Sequence, residues 1–191
     1  MLNIVLFGPP GAGKGTQAAK LIDKYKLAHI STGDVIRAEI RSGSELGRSV
    51  EEYTKRGELV PDRLVIDIIA DYVVNRSGGS GSIFDGFPRT TYQAEEFDKI
   101  LAQSGMKVDF MVSLDVEDAE LVKRLLLRGK ESGRADDSSE EVIRNRISVY
   151  KAQTAIVADY YSAQGKYMAI DGIGTIDEIF DRICKAIEGH R

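Results

Sequence analysis

Tryptophan is absent from this chain, cysteine occurs once and histidine twice. A lone cysteine closes no internal disulfide, so stability does not rest on cross-links. In the setting DEIFDRICKAIEG, Cys184 reads as filler on the apolar face of a last helix. His29 and His190 lie far apart in sequence, with no other ligand types at metal-binding spacing. Neither suits a zinc site or a catalytic triad. Apolar runs are short, and none approaches the roughly 20 residues that span a bilayer. The opening MLNIVLFG has no basic flank and meets its glycine too early for a signal peptide, which leaves it as a buried strand. The expected location is cytoplasmic. Positive charge is not in excess either: 26 Lys and Arg stand against 30 Asp and Glu, a net charge of -4. That balance argues against general affinity for nucleic acid or an anionic membrane. Any polyanion site must come from local clusters.

What is present fits one soluble unit. The 191 residues are 42% hydrophobic and 29% charged, enough for a single well-filled core with small inserted lobes. Strand-like runs recur as LNIVLF, AHIS, SIFD, DFMVSLDV and KYMAID. Longer segments between them repeat apolar residues at helical spacing. This alternation predicts an α/β fold, a parallel sheet with helices on both faces. Helices are expected to begin near Lys14, Asp34, Pro61, Thr91, Glu117, Ser138 and Thr175, several behind a Ser, Thr or Asp cap or a first-turn proline. RSGGSGS, residues 76–82, reads as a plain flexible loop leading into SIFD. No internal repeat is evident.

The most informative stretch is GPPGAGKGTQ, which follows the first strand and opens a helix. It nearly matches the phosphate-binding pattern GxxxxGK[ST], except that Gly15 follows Lys14 and the hydroxyl arrives one position late, at Thr16. Backbone N–H groups from Gly11, Ala12, Gly13, Lys14, Gly15 and Thr16 can converge on phosphate oxygens at the helix N-terminus, where the dipole favours anions. Lys14 would reach the β and γ phosphates. A plain glycine turn is the alternative, but lysine suits a turn poorly and a phosphate well. With no hydroxyl after the lysine, magnesium would be gripped mainly by phosphate oxygens and water. Asp85, at the end of SIFD, and Thr16 would then hold those waters. The alternative for Asp85 is a strand-end turn.

GPPGAGKGTQ, STGDVIR, DGFPRTTYQAE and RLLLRGKESGRADD, in this order, resemble adenylate kinases of the short-lid type within the nucleoside monophosphate kinases. The likeness runs nearly end to end, and in that family the GKGT loop is the usual form. The resemblance implies a P-loop nucleoside kinase fold with a five-stranded parallel core at 1–30, 61–128 and 141–191. It also implies an AMP-binding insert at 31–60 and a short lid at 129–140. The implied reaction moves the γ-phosphoryl group of MgATP to AMP and yields two ADP, in a monomer. Arg37 and Arg89 match the arginines that bind the AMP phosphate, and Gly86, Arg134 and Arg146 are implied to join them in binding AMP. Arg124 and Arg128 match lid-base arginines that meet the adenine and phosphates of ATP. Arg134 and Arg146 match lid and transfer-site arginines. An extra residue around Ser138 and Ser139 leaves Arg144 as a rival to Arg146. Lys14, Arg89, Arg128, Arg134 and Arg146 would carry catalysis, and Thr32 and Gln93 would face the acceptor base. The matching Phe87–Pro88 bond in the family is cis. The lid GKESGRADD has no cysteines, so no zinc is expected there.

The residues agree with the resemblance. Arg124 and Arg128, four apart, share a helix face, and guanidinium groups suit bidentate phosphate contact. Solvated surface charge is the alternative for any one arginine taken alone, and an exposed first helical turn is the alternative for Gln93. Two rival readings stay open. UMP/CMP kinases share the loop and the proline–arginine turn. A nucleotide switch that transfers no phosphate lacks support from a guanine-reading NKxD, which is absent here.

Overall fold

The computed structural model describes residues 1–75 and 79–190. The chain runs β1 (Leu2–Phe7), α1 (Lys14–Tyr25), β2 (Ala28–Ser31), α2 (Thr32–Ser42), α3 (Glu45–Arg56), α4 (Asp62–Asn75) and β3 (Gly81–Asp85). It continues through α5 (Thr91–Gln103), β4 (Phe110–Asp115), α6 (Asp118–Ser132), a short 3₁₀ turn (Ala135–Asp137) and α7 (Glu140–Val149). A π-helical turn (Tyr150–Thr154), α8 (Val157–Ser162), β5 (Tyr167–Asp171) and α9 (Ile176–Gly189) complete it. The five strands form one sheet in the order β2-β3-β1-β4-β5, every neighbouring pair parallel. The predicted fold class is therefore the observed one.

β1 is buried along its whole length because both faces of the sheet are covered. Ile4 and Leu6 point into a core shared with α1, α6 and α9, whereas Val5 and Phe7 point into one shared with α4, α5 and α8. Cys184 belongs to the first of these cores. Asn3, the one polar residue of β1, is satisfied: its Nδ2 donates to the Lys107 carbonyl at 2.9 Å and its Oδ1 accepts from the Ser82 N–H at 3.2 Å. After β1 the chain builds the β3–β2 side and later crosses to β4. The crevice above the carboxyl end of β1 is thus the topological switch point where ligands enter such sheets.

Several expected boundaries move for local reasons. The helix expected near Asp34 begins at Thr32, because the Ser31 hydroxyl caps it by accepting the Asp34 N–H. The one expected near Ser138 begins at Glu140, with Ser139 as its cap. α3 had no separate signal beyond the Gly43–Ser44 pair that ends one helix and caps the next. Of the expected loop at 76–82, residues 76–78 lie outside the described residues, while Gly81 and Ser82 are already strand and pair with Leu2 and Asn3. A side chain at Gly81 would run into the Leu2 backbone, so the strand can start there only with glycine. The Phe87–Pro88 peptide is cis, as the resemblance implied. No helix is long and apolar enough to cross a membrane among the described residues.

Candidate active site

Two cavities open at the carboxyl end of the sheet. One, of about 1340 Å3, runs over the loop between β1 and α1 and is lined by Gly11, Gly13, Lys14, Gly15 and Thr16, together with Asp85, Arg124, Arg128 and Arg134. The other, of about 910 Å3, passes beneath α2 and α3 toward an apolar end formed by Leu59, Val60, Phe87, Val149 and Tyr150. Lys14, Arg37, Gly86, Arg89 and Arg146 line both. The wall between the cavities is therefore made largely of cations.

The loop is built to admit an anion. Gly13 has φ 96, a left-handed conformation that lets the chain turn directly into α1. A methyl group placed on Gly15 would meet nothing within 4 Å, so the position after the lysine opens into free space. Lys14 donates from Nζ to the carbonyls of Gly8 and Pro9 at 2.9 and 3.0 Å. Burial pulls its pKa down to about 8; Asp85 works against this, and Arg89, Arg146 and Arg128 add to it. Arg89 is lowered in the same way, by burial and then by Arg146. Both groups are short of negative charge, which a bound polyanion would supply.

The remaining arginines are held by carboxylates that sequence reasoning passed over. Arg128 grips Asp137 with two bonds, Nε to Oδ2 at 2.6 Å and Nη2 to Oδ1 at 3.0 Å. Arg146 donates to Asp137 Oδ1 at 2.5 Å and lies 3.3 Å from Asp136 Oδ2. Burial alone would push the Asp137 carboxyl up, but the two guanidinium groups outweigh it and hold it below the usual carboxylate range. Arg37 pairs with Asp34 at 2.5 Å and reaches Asp136 at 3.8 Å, and Arg134 lies 4.0 Å from Asp34. Arg124 is tied to Glu120 and to the Gly172 carbonyl, at 2.8 and 3.2 Å. The signal that could have found Asp136 and Asp137 was the adjacent pair of acids directly after SGRA.

Other expected residues fall less simply. Arg146 faces the cavities with 18% of its side chain exposed, whereas Arg144 points outward at 64% and pairs with Glu140. Ala12, Thr32 and Gln93 are buried and line neither cavity. Thr32 donates to the Gly86 carbonyl at 2.9 Å. Gln93 sits one hydrogen bond behind the cavity wall: its Oε1 accepts the Arg89 N–H at 2.7 Å and its Nε2 donates to Asp62 at 2.8 Å. His29 reaches the edge of the P-loop cavity, and His190 lies far from it against the Phe110 ring. Among the described residues no group of three or more His, Cys, Asp or Glu stands close enough to hold a metal ion alone.

A parallel sheet whose first loop wraps a helix N-terminus, under a cleft walled by one lysine and several arginines, defines a P-loop protein with two cavities meeting at a cationic wall. A sequence model of the family described as adenylate kinase matches residues 6–166. The adenylate kinase of Phocaeicola vulgatus is 52% identical over 188 residues, 98% of this chain and 99% of the relative. That of Bacteroides fragilis is 50% identical over 188 residues, with the same coverage. That of Caulobacter vibrioides is 46% identical over 187 residues, covering 98% and 97%. The chain belongs to the adenylate kinase family.

Proposed function

We propose that this chain catalyses reversible transfer of the γ-phosphoryl group of MgATP to AMP, giving two ADP and balancing the adenine nucleotide pool. The observation that carries the reading is the cationic wall common to both cavities. A donor in one cavity and an acceptor in the other would meet there with their phosphates apposed. Gly11 through Thr16 and Lys14 hold the ATP phosphates, and Arg124 and Arg128 border the adenine end. Arg37, Gly86 and Arg89 hold the AMP phosphate, with the base toward Leu59, Val60 and Tyr150. Residues 31–60 act as the AMP-binding insert and 129–140 as the lid. Both sites come from this chain alone, which supports the reading of a monomer; the proposed setting is the cytoplasm, with neither nucleic acid nor membrane as partner.

An oxygen of the AMP phosphate attacks the γ-phosphorus while the bond to the β-bridging oxygen breaks, and the electron pair leaves with ADP. The attacking oxygen is already anionic, so no general base is required. The protein has to bring mutually repelling anions into line and neutralise them. Lys14, Arg89, Arg128, Arg134 and Arg146 do this as catalytic residues. Closure of 129–140 over the cleft excludes water, which would otherwise take the phosphoryl group. The residues fit a nucleotide-borne magnesium ion: Asp85 and Thr16 line the loop cavity, and open space stands at Gly15. They would hold it through water, and the ion would supply neutralisation of the phosphate charge. The test is kcat/KM for AMP, GMP, CMP and UMP with ATP saturating. AMP should lead by orders of magnitude; comparable efficiency on UMP or CMP would overturn the assignment in favour of a pyrimidine nucleotide kinase.

A further inference from the structure

Gln93 is held at three points. Its backbone N–H donates to Thr90 Oγ1 at 3.2 Å, its Oε1 accepts from the Arg89 N–H at 2.7 Å, and its Nε2 donates to Asp62 Oδ1 at 2.8 Å. The Thr90 hydroxyl donates to the same Asp62 oxygen at 3.1 Å, steadying it. The two side-chain contacts are not interchangeable. A main-chain N–H can only donate and a carboxylate can only accept. Turning the amide over would set Oε1 against the Asp62 carboxylate and Nε2 against the Arg89 N–H. Gln93 is only 1% exposed, so water could not relieve either clash. The amide orientation is imposed from behind.

We propose that Asp62 is the positioning residue for base selectivity: by locking the Gln93 amide in one orientation, it makes the site accept 6-aminopurines and reject 6-oxopurines. The inference rests on the proposed function together with what the family resemblance implies, that Gln93 faces the acceptor base; in the structure it lies one hydrogen bond behind the cavity wall at Arg89. A glutamine amide has two N–H groups and two lone pairs, and one of each is spent on Asp62 and Arg89. One N–H and one lone pair remain, in fixed order. Adenine presents an acceptor at N1 and a donor at its 6-amino group, which matches that order. Hypoxanthine and guanine present a donor at N1 and an acceptor at the 6-oxygen, which inverts it. A glutamine free to turn would serve either base equally well. The Asp62 carboxylate, with the Arg89 N–H, supplies the choice.

The experiment compares AMP with inosine monophosphate, which carries the 6-oxo edge without guanine's extra amino group, in wild type, Asp62→Asn and Gln93→Ala with ATP saturating. An asparagine amide can donate to a turned Oε1, so Asp62→Asn removes one of the two clashes and leaves only that with the Arg89 N–H; it should raise kcat/KM for inosine monophosphate and reduce the preference for AMP by about tenfold. A gain on the poorer substrate is a readout that mere loss of stability does not produce. A preference unchanged in Asp62→Asn but lost in Gln93→Ala overturns the role of Asp62 and leaves Gln93 as base reader. A preference unchanged in both removes Gln93 from the base site, and the inference with it. Should Asp62→Asn fail to fold, the Gln93 side-chain NH2 resonances of the wild type decide. One slowly exchanging pair supports the lock, and two interconverting sets refute it.

Discussion

Replacing Asp137 with asparagine should cost both stability and transfer rate. The side chain is fully buried and accepts two bonds from Arg128 and one from Arg146. Asparagine keeps the volume but removes the charge and turns an NH2 toward one of the guanidinium groups. Removing one partner of a buried ion pair costs about 3–5 kcal/mol where the other stays buried. Here Arg128 keeps 36% of its side chain exposed and Arg146 keeps 18%, so both recover some hydration. The expected loss is then about 2–3 kcal/mol. For a domain of this size that lowers Tm by about 5–10 °C. The pH dependence has a definite sign. The folded-state pKa of Asp137 is depressed, so its contribution is present above the ordinary carboxyl range and is lost as pH falls through the lowered value. Calorimetry should give a constant wild-type-minus-variant difference in Tm from pH 7 to 5, shrinking below about pH 4. Turnover should fall by about tenfold or more as Arg128 and Arg146 lose their common anchor. A Tm within 1 °C of wild type, or a difference that widens on acidification, would refute the reasoning.

Lys14→Met should fold with a Tm close to wild type, because the lost amine gives up only bonds to two loop carbonyls and a costly buried charge. Its turnover should fall by about hundreds-fold, as for loss of one preorganised donor at developing charge, and near-normal turnover would end the loop's phosphate role. In the wild type, Lys14 loses its proton near pH 8 in the free protein, so kcat/KM should decline above that pH. Bound phosphates restore its charge, so kcat should stay level to a higher pH; matching declines in both profiles would exclude Lys14 as the titrating group.

What could be read in advance was whatever local chemistry decides. A glycine loop between an apolar strand and a helix can be recognised from spacing alone, and the strand runs predict the sheet because burial on both faces demands near-continuous apolar residues. That the arginines belong to one cleft was legible, because a chain of net charge -4 gains little from clustering cations without an anion to bind. Asp62 was not legible, and Asp137 carried only the mark of an adjacent pair of acids, which does not name its partners. Their importance comes from partners 31 residues away for Asp62 and 9 for both Asp137 contacts, brought close by tertiary packing. Gln93 shows the same limit. A helix-start glutamine has no sequence mark telling whether its amide faces solvent, a ligand or a buried carboxylate.

The carboxylates also bear on how the cleft can open and close. Asp136 approaches Arg146 and, at 3.8 Å, Arg37, while Asp34 binds Arg37 and lies 4.0 Å from Arg134. The segments 31–60 and 129–140 are thus linked across the cleft by ion pairs that use the same arginines to which the proposed function gives the nucleotide phosphates. Arriving phosphates would exchange with aspartates at those guanidinium groups; they would not meet bare cations. Exchange of one anion for another changes the electrostatic energy far less than pairing an unpaired buried charge. If 129–140 acts as the proposed lid, closure over ligand and closure over aspartate then differ modestly in free energy, as release of ADP and uptake of ATP and AMP at one site would require. Transfer gains because the arginines are already placed when the phosphates arrive, with little reorganisation left to the chemical step.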